Sequence, residues 1–316
     1  MQTLDVQVLQ NAREWLHRSP PWLCTIVRTL GSSPRPVGSL VAIADDLRQT
    51  GSVSGGCVEE DLLEKLQRGE YPAALPTMIE YGVSAEENAR LGLPCGGRLT
   101  LLLQKLQARD AGWLDAVLAA LAQRRCIERH LTLADGVTRT QAVADYTGLA
   151  FDRQALRQCF GPRMRLLLIG AGELARSLAE LALAMDYEVI VTDPREDFLR
   201  DWNGPPVQLV PGMPDDVVRR YAGDPHLVVI TLTHDPRIDD MGLMEALESS
   251  AWYVGALGSR RTSDTRLARL AQLGIDDAAL ARLHAPVGLD IGSKTPIEIA
   301  VSIMAQITAL RRQPRA

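Results

Sequence analysis

Hydrophobic and polar positions along this chain follow two different periods. Leu4, Val8, Leu9, Ala12, Trp15 and Leu16 fall on one face of a helix spanning Leu4–Arg18. Short apolar runs then predict strands at Trp22–Leu30, Leu40–Ala44, Met78–Tyr81 and Leu99–Leu103, with a turn at Asp45-Asp46. Helices are expected at Cys57–Gly69 and Gly112–Arg124, and a hairpin of Cys126–Leu133 with Thr138–Asp145 closes around Ala134-Asp135-Gly136. Phe151–Phe160 reads as a short helix, and Gly161-Pro162 ends the first half.

Beyond that point strands and helices alternate. Strands are expected at Arg165–Ile169, Glu188–Thr192, Val207–Val210, Leu227–Leu232 and Trp252–Leu257, and helices at Leu174–Met185 and Pro296–Leu310. Such alternation implies a doubly wound parallel sheet. The fold class is therefore α/β: an α+β N-terminal domain over residues 1–150 and a Rossmann-like domain over residues 151–316.

Composition narrows the function. The chain has 316 residues, 46% apolar, and a net charge of −5. No basic excess suggests nucleic acid or a membrane surface as partner, and 4% aromatic content offers few stacking platforms. No signal peptide or bilayer-spanning run is read. The five cysteines form no C-x-x-C pair, so a reduced, cytoplasmic protein is expected.

Chemistry concentrates in glycine-rich loops. Gly51-Ser52-Val53-Ser54-Gly55-Gly56-Cys57 delivers a cysteine to a helix start, where open N–H groups of Gly55 and Gly56 and the helix dipole suit an anion or a thiolate. Glu59 and Glu60 oppose that thiolate. Cys95, in Pro94-Cys95-Gly96-Gly97, has a similar setting. These two cysteines suit a soft metal, sulfur or an anionic cofactor, whereas Cys24, Cys126 and Cys159 read as core residues.

Gly170-Ala171-Gly172-Glu173-Leu174-Ala175 follows a strand and opens a helix, and Asp193 ends the next strand. That pattern fits dinucleotide binding, with Asp193 on a ribose hydroxyl. Arg195 reads as solvated, with a phosphate partner as the alternative. His234 lies at the ligand-binding edge and is the acid–base candidate for a nicotinamide-dependent oxidoreductase. Ser259 and Arg260, in a glycine turn before a helix, and Lys294, in a long glycine loop, are candidate anion-holding residues.

These segments together resemble the XdhC/CoxI family. Ser32-Ser33-Pro34-Arg35 with Gly38, the Gly-Gly-Cys stretch and Pro94–Gly97 are similar to its N-terminal domain. Thr233-His234-Asp235, Ala256–Arg260 and His284–Ala300 are similar to its C-terminal Rossmann domain. The resemblance implies binding of molybdenum cofactor (molybdopterin, as such or as a dinucleotide), its sulfuration with a cysteine desulfurase, and its insertion into the molybdenum subunit of xanthine dehydrogenase by a homodimeric chaperone. In that light Cys57 is the first candidate to contact molybdenum or carry sulfur, Cys95 the second, and Arg35 a candidate anion ligand. The competing readings are an NAD(P)-dependent oxidoreductase using the Rossmann-like domain, where NAD or FAD is the candidate nucleotide, and a sulfurtransferase with a Cys57 persulfide. No pyridoxal-phosphate lysine motif is recognised, so sulfur would come from a partner.

Overall fold

Alternate residues of one strand, Leu166 and Leu168 against Leu167 and Ile169, enter two different apolar clusters. A strand buried on both faces needs helices on both sides of its sheet. The computed structural model, which describes residues 3–31, 35–84, 86 and 97–312, shows that arrangement. The chain divides into two compact units, Met1–Pro162 and Arg163–Ala316.

The N-terminal unit contains α1 (Thr3–Trp15), β1 (Trp22–Leu30), β2 (Leu40–Ile43), β3 (Gln49–Gly51), α2 (Cys57–Gln67), β4 (Thr77–Tyr81) and β5 (Arg98–Lys105). Then come α3 (Ala111–Ala122), β6 (Cys126–Thr132), β7 (Thr138–Val143), β8 (Leu149–Phe151) and β9 (Ala155–Phe160). Strands β3-β2-β1-β5-β4 form one antiparallel sheet and β7-β6-β9-β8 another. Leu23 packs with Val8 and Leu9 of α1 and Trp113 of α3. Its neighbour Cys24 packs on the other face with Val58 and Leu62 of α2. Cys24, Cys126 and Cys159 are buried and in no disulfide.

The segment expected as a helix at Phe151–Phe160 is a β-hairpin instead, and it belongs to the first unit. The Asp152 carboxylate accepts from the backbone N–H of Gln154 (2.7 Å) and Ala155 (2.8 Å), an Asx turn that reverses the chain. Leu156, Gln158 and Phe160 then point inward at a period of two, and β9 pairs with β6. The units accordingly divide after Pro162 rather than after residue 150.

The C-terminal unit contains β10 (Arg165–Ile169), α4 (Glu173–Ala184), β11 (Glu188–Asp193), α5 (Glu196–Arg200), β12 (Gln208–Pro211), α6 (Pro214–Tyr221) and β13 (Leu227–Thr231). It continues with α7 (Pro236–Glu248), β14 (Tyr253–Ala256), α8 (Arg260–Gln272), α9 (Asp277–Leu280), β15 (Leu283–His284) and α10 (Pro296–Arg312). The strand order is β12-β11-β10-β13-β14-β15, with every neighbouring pair parallel. This is the Rossmann order. Helices α4 and α10 cover one face through Leu178, Ala182, Ile303 and Ile307, and α6, α7 and α8 cover the other through Val217, Leu243 and Leu270. Each such buried Leu or Ile contributes about 1.5–3 kcal/mol.

Candidate functional site

The order in which strands are added reverses at β10, with β11 on one side and the parallel β13 on the other, and a crevice opens at the carboxyl ends of β10 and β13, where ligands bind in such sheets. A cavity of about 870 Å³ lies there, lined among others by Gly170, Gly172, Arg195, Thr233, His234 and Lys294. Gly170 adopts φ +112°, and a Cβ at this position would lie 3.0 Å from Thr233 Cγ2. Glycine thus permits both the turn into α4 and the close approach of the β13 loop. Gly172 precedes α4, so the first N–H groups of that helix face the cavity region.

Asp193 ends β11, as the pattern predicts, but its carboxylate is 0% exposed. It accepts from the Ala171 N–H (3.0 Å), the Arg195 N–H (3.0 Å), Arg195 Nε (2.8 Å) and Arg195 Nη2 (2.8 Å). Burial opposes its ionisation. The Arg195 and Ala171 hydrogen bonds outweigh burial and hold the carboxyl below the usual carboxylate range. Arg195 is therefore paired with Asp193 while its side chain stays partly exposed, and its guanidinium also lies 3.8 Å over the Phe198 ring. Asp193 locks the glycine turn and Arg195 together and has no lone pair left for a ribose.

The β13 loop is braced from below. Thr233 Oγ1 donates to Asp239 Oδ1 (2.7 Å), Arg266 Nη2 donates to Asp239 Oδ2 (2.9 Å), and Arg266 Nη1 donates to the Leu257 carbonyl (3.0 Å). Thr233 and Leu257 both line the cavity, so this buried pair fixes two of its walls. Burial pushes the Asp239 carboxyl up to about 6, against the opposing effects of Thr233 and Arg266. Asp235 caps α7 by accepting from the Arg237 N–H (3.0 Å), and His234 stands exposed at the rim. The bracing roles of Thr233, Asp239 and Arg266 have no counterpart in the sequence motifs.

Lys294 also lines the cavity. Its backbone N–H and that of Thr295 donate to Glu298 Oε2 (both 2.9 Å), which caps the start of α10. Among the described residues its ammonium makes no ion pair. Ser259 and Arg260 do not join the cavity lining. The Ser259 hydroxyl accepts from the Thr262 N–H (3.2 Å) as the α8 N-cap, and the exposed Arg260 pairs with Asp290 at 3.3 Å.

In the N-terminal unit the Gly-Ser loop already holds an anion of its own. Glu59 Oε1 accepts from the Ser52 hydroxyl (2.8 Å) and the N–H groups of Val53 (2.8 Å), Ser54 (2.9 Å) and Gly55 (3.2 Å). Glu59 Oε2 accepts from the Gly56 N–H (3.1 Å) and the Ser54 hydroxyl. Burial works against the charge, but the Ser54, Val53 and Ser52 hydrogen bonds bring the carboxyl down to about 2. The N–H groups of Gly55 and Gly56, expected to be open for a ligand, are thus occupied. Cys57 begins α2 as predicted, with its side chain outside the described set. Cys95 lies outside the described residues, as do Ser32, Ser33 and Pro34. Arg35 sits 3.8 Å from Asp5 of α1 in an ion pair. No cluster of three or more metal-binding side chains occurs among the described residues.

A parallel sheet in this order, with a cleft at its switch point lined by Arg195, Arg237 and Lys294 and by Glu173 and Asp235, places the C-terminal unit in the Rossmann class. A family model described as "XdhC and CoxI family" matches residues 6–81, and one described as "XdhC Rossmann domain" matches residues 166–307. The chain belongs to the XdhC/CoxI family. It is 29% identical over 299 residues to a molybdenum cofactor insertion chaperone, PaoD, of Escherichia coli K12, covering 92% of this chain and 83% of the relative. It is 26% identical over 316 residues to a protein of Bacillus subtilis 168 named as a probable subunit of xanthine dehydrogenase, covering 92% and 93%. A crystal structure described as a xanthine dehydrogenase from Bacillus halodurans superposes with a TM-score of 0.75 at 26% identity, covering 98% and 96% of the two chains.

Proposed function

We propose that this chain is a chaperone that binds molybdenum cofactor and inserts it into a molybdenum hydroxylase. The observation that carries the reading is the near full-length similarity to a protein named for that task. The C-terminal cleft fits the cargo: it is large, and it offers Arg195, Lys294 and the α4 N-terminus to a phosphate-bearing, anionic pterin. The relatives' names favour xanthine dehydrogenase or a related molybdenum enzyme as recipient, and its molybdenum subunit as the docking partner is part of the proposal. Sulfuration with a cysteine desulfurase, a homodimeric state and a cytoplasmic setting belong to the same proposal. Cys57, at the start of α2, is its sulfur- or molybdenum-contacting residue. No helix among the described residues is long and apolar enough to cross a membrane.

The oxidoreductase reading places NAD in the same cleft with His234 as acid–base. The saturated Asp193 carboxylate argues against it, because the usual ribose contact is occupied.

The test is retention of isolated molybdenum cofactor by the purified protein, with molybdenum and the fluorescence of the oxidised pterin measured after separation of free from bound. Retention near one per chain, reduced in Lys294→Ala and in Cys57→Ala, is expected. A wild-type protein that retains no cofactor overturns the reading. Unchanged retention in Cys57→Ala removes that residue from it.

A further inference from the structure

In dinucleotide-binding Rossmann folds an acid at the end of the second strand takes a ribose diol, whereas an arginine nearby takes a ribose phosphate. Asp193 stands at that place on β11 but is closed to ligands. A carboxylate offers about four lone-pair sites, and Asp193 receives hydrogen bonds from Ala171 N, Arg195 N, Arg195 Nε and Arg195 Nη2 with 0% exposure. A diol brought there finds no acceptor.

Arg195 is the group presented instead. Its guanidinium has about five N–H donors, of which Asp193 takes one on Nε and one on Nη2. The rest remain for the cavity, which Arg195 lines with its side chain 42% exposed. The bidentate pair on one edge and the Phe198 ring beneath fix the guanidinium plane before any ligand arrives. A fork fixed in advance loses little entropy on binding and matches phosphate oxygens in pairs.

We propose that Arg195 is the specificity-determining residue of the cleft: it selects a ligand presenting a phosphate monoester at the end of β11 and excludes one presenting an unphosphorylated ribose diol. The proposal rests on the reading that this cleft is the ligand site. A pterin and a nucleotide can each carry such a phosphate, and the chemistry recognised at Arg195 is the same.

The experiment measures equilibrium binding to the purified full chain by tryptophan fluorescence. One arm compares NADP+ with NAD+, which differ only in a ribose phosphate. The other compares molybdopterin with its dephosphorylated form. The wild type is expected to bind at least one phosphorylated probe about tenfold or more tighter than its counterpart, and Arg195→Gln is expected to abolish that preference. Because Arg195→Gln leaves Asp193 as a buried, unpaired carboxylate, the double variant Asp193→Asn/Arg195→Gln is measured beside it, with its fold checked by circular dichroism. Equal binding within both pairs, no binding of either phosphorylated probe, or a preference that survives in the folded double variant overturns the proposal. A preference for NADP+ that depends on Arg195, without cofactor retention, upholds the proposal and rejects the chaperone reading. Cofactor retained together with equal binding within both pairs does the reverse.

Discussion

The Glu59 carboxylate lies 3.1 Å from the backbone nitrogen of Gly56, inside the loop that its own helix begins. The loop is therefore ordered around an internal anion, and its glycines serve the backbone rather than a ligand. Gly55 and Gly56 have φ of +92° and +155°, yet a Cβ at either would meet nothing within 4 Å, so conformation alone calls for glycine. Glu59→Gln removes the charge from a group holding four N–H groups and two hydroxyls, and about 2–3 kcal/mol of stability should be lost. The wild type should show the same contribution through pH. Its folded value near 2 lies below the ordinary 4.5, so the stabilisation is present above about pH 4.5 and disappears as pH falls toward 2. The shift corresponds to roughly 3 kcal/mol. Urea unfolding of both proteins between pH 2 and 7 measures this. Parallel acid profiles would show that Glu59 makes no such contribution.

Gly170 has a stricter requirement than the loop glycines. Its φ of +112° coincides with Thr233 Cγ2 and Thr233 N at 3.0 and 3.2 Å from a built Cβ. Gly170→Ala should destabilise the C-terminal unit by about 2–3 kcal/mol, adding strain to a clash with backbone. Gly55→Ala should cost about 1 kcal/mol, from conformation only. Thermal unfolding of the two variants gives the comparison, and equal losses would refute the close-approach argument.

The central strands β10, β11, β13 and β14 of the C-terminal sheet were legible because they are largely apolar runs and the glycine turn has a fixed place before α4, whereas the two-residue edge strand β15 was not. The β8–β9 hairpin was not, because Phe151–Phe160 mixes apolar and polar residues over a length that suits either element. Its decisive signal was the Asx turn at Asp152, a single side chain. At the site, Gly170, Gly172, His234 and Lys294 do share one cavity. The pairing of Asp193 with Arg195 depends on where a guanidinium folds back, which spacing does not encode. Glu59 likewise reads as a helix-start acid until the loop wraps over it. Asp239 and Arg266 are 27 residues apart and meet only through the packing of α7 and α8.

That pair carries a further prediction. Arg266 is 4% exposed and Asp239 1%, so neither charge has water to fall back on. Arg266→Met should cost about 3–5 kcal/mol, the usual result of stranding a buried charge. It also releases the Leu257 carbonyl and loosens the Thr233 wall of the cleft. Replacing both residues by apolar ones of similar volume should be milder than the single change, because no charge is then stranded. Chemical denaturation of the single and double variants tests this. A double variant less stable than the single one would show that the pair contributes more than mutual compensation.

Lys294 offers the cleanest separation of binding from stability. Its side chain is exposed and without an acidic partner among the described residues, while its backbone N–H caps α10 through Glu298 whatever the side chain. Lys294→Ala should therefore leave the unfolding midpoint unchanged. It should weaken binding of an anionic ligand in the cleft by about tenfold at low ionic strength. The difference should shrink toward about twofold near 1 M salt, where the Debye length falls to about 3 Å. A titration of inorganic pyrophosphate against wild type and variant at both salt concentrations measures it. Affinity that is equal in the two proteins at low salt would place the anion elsewhere than beside Lys294.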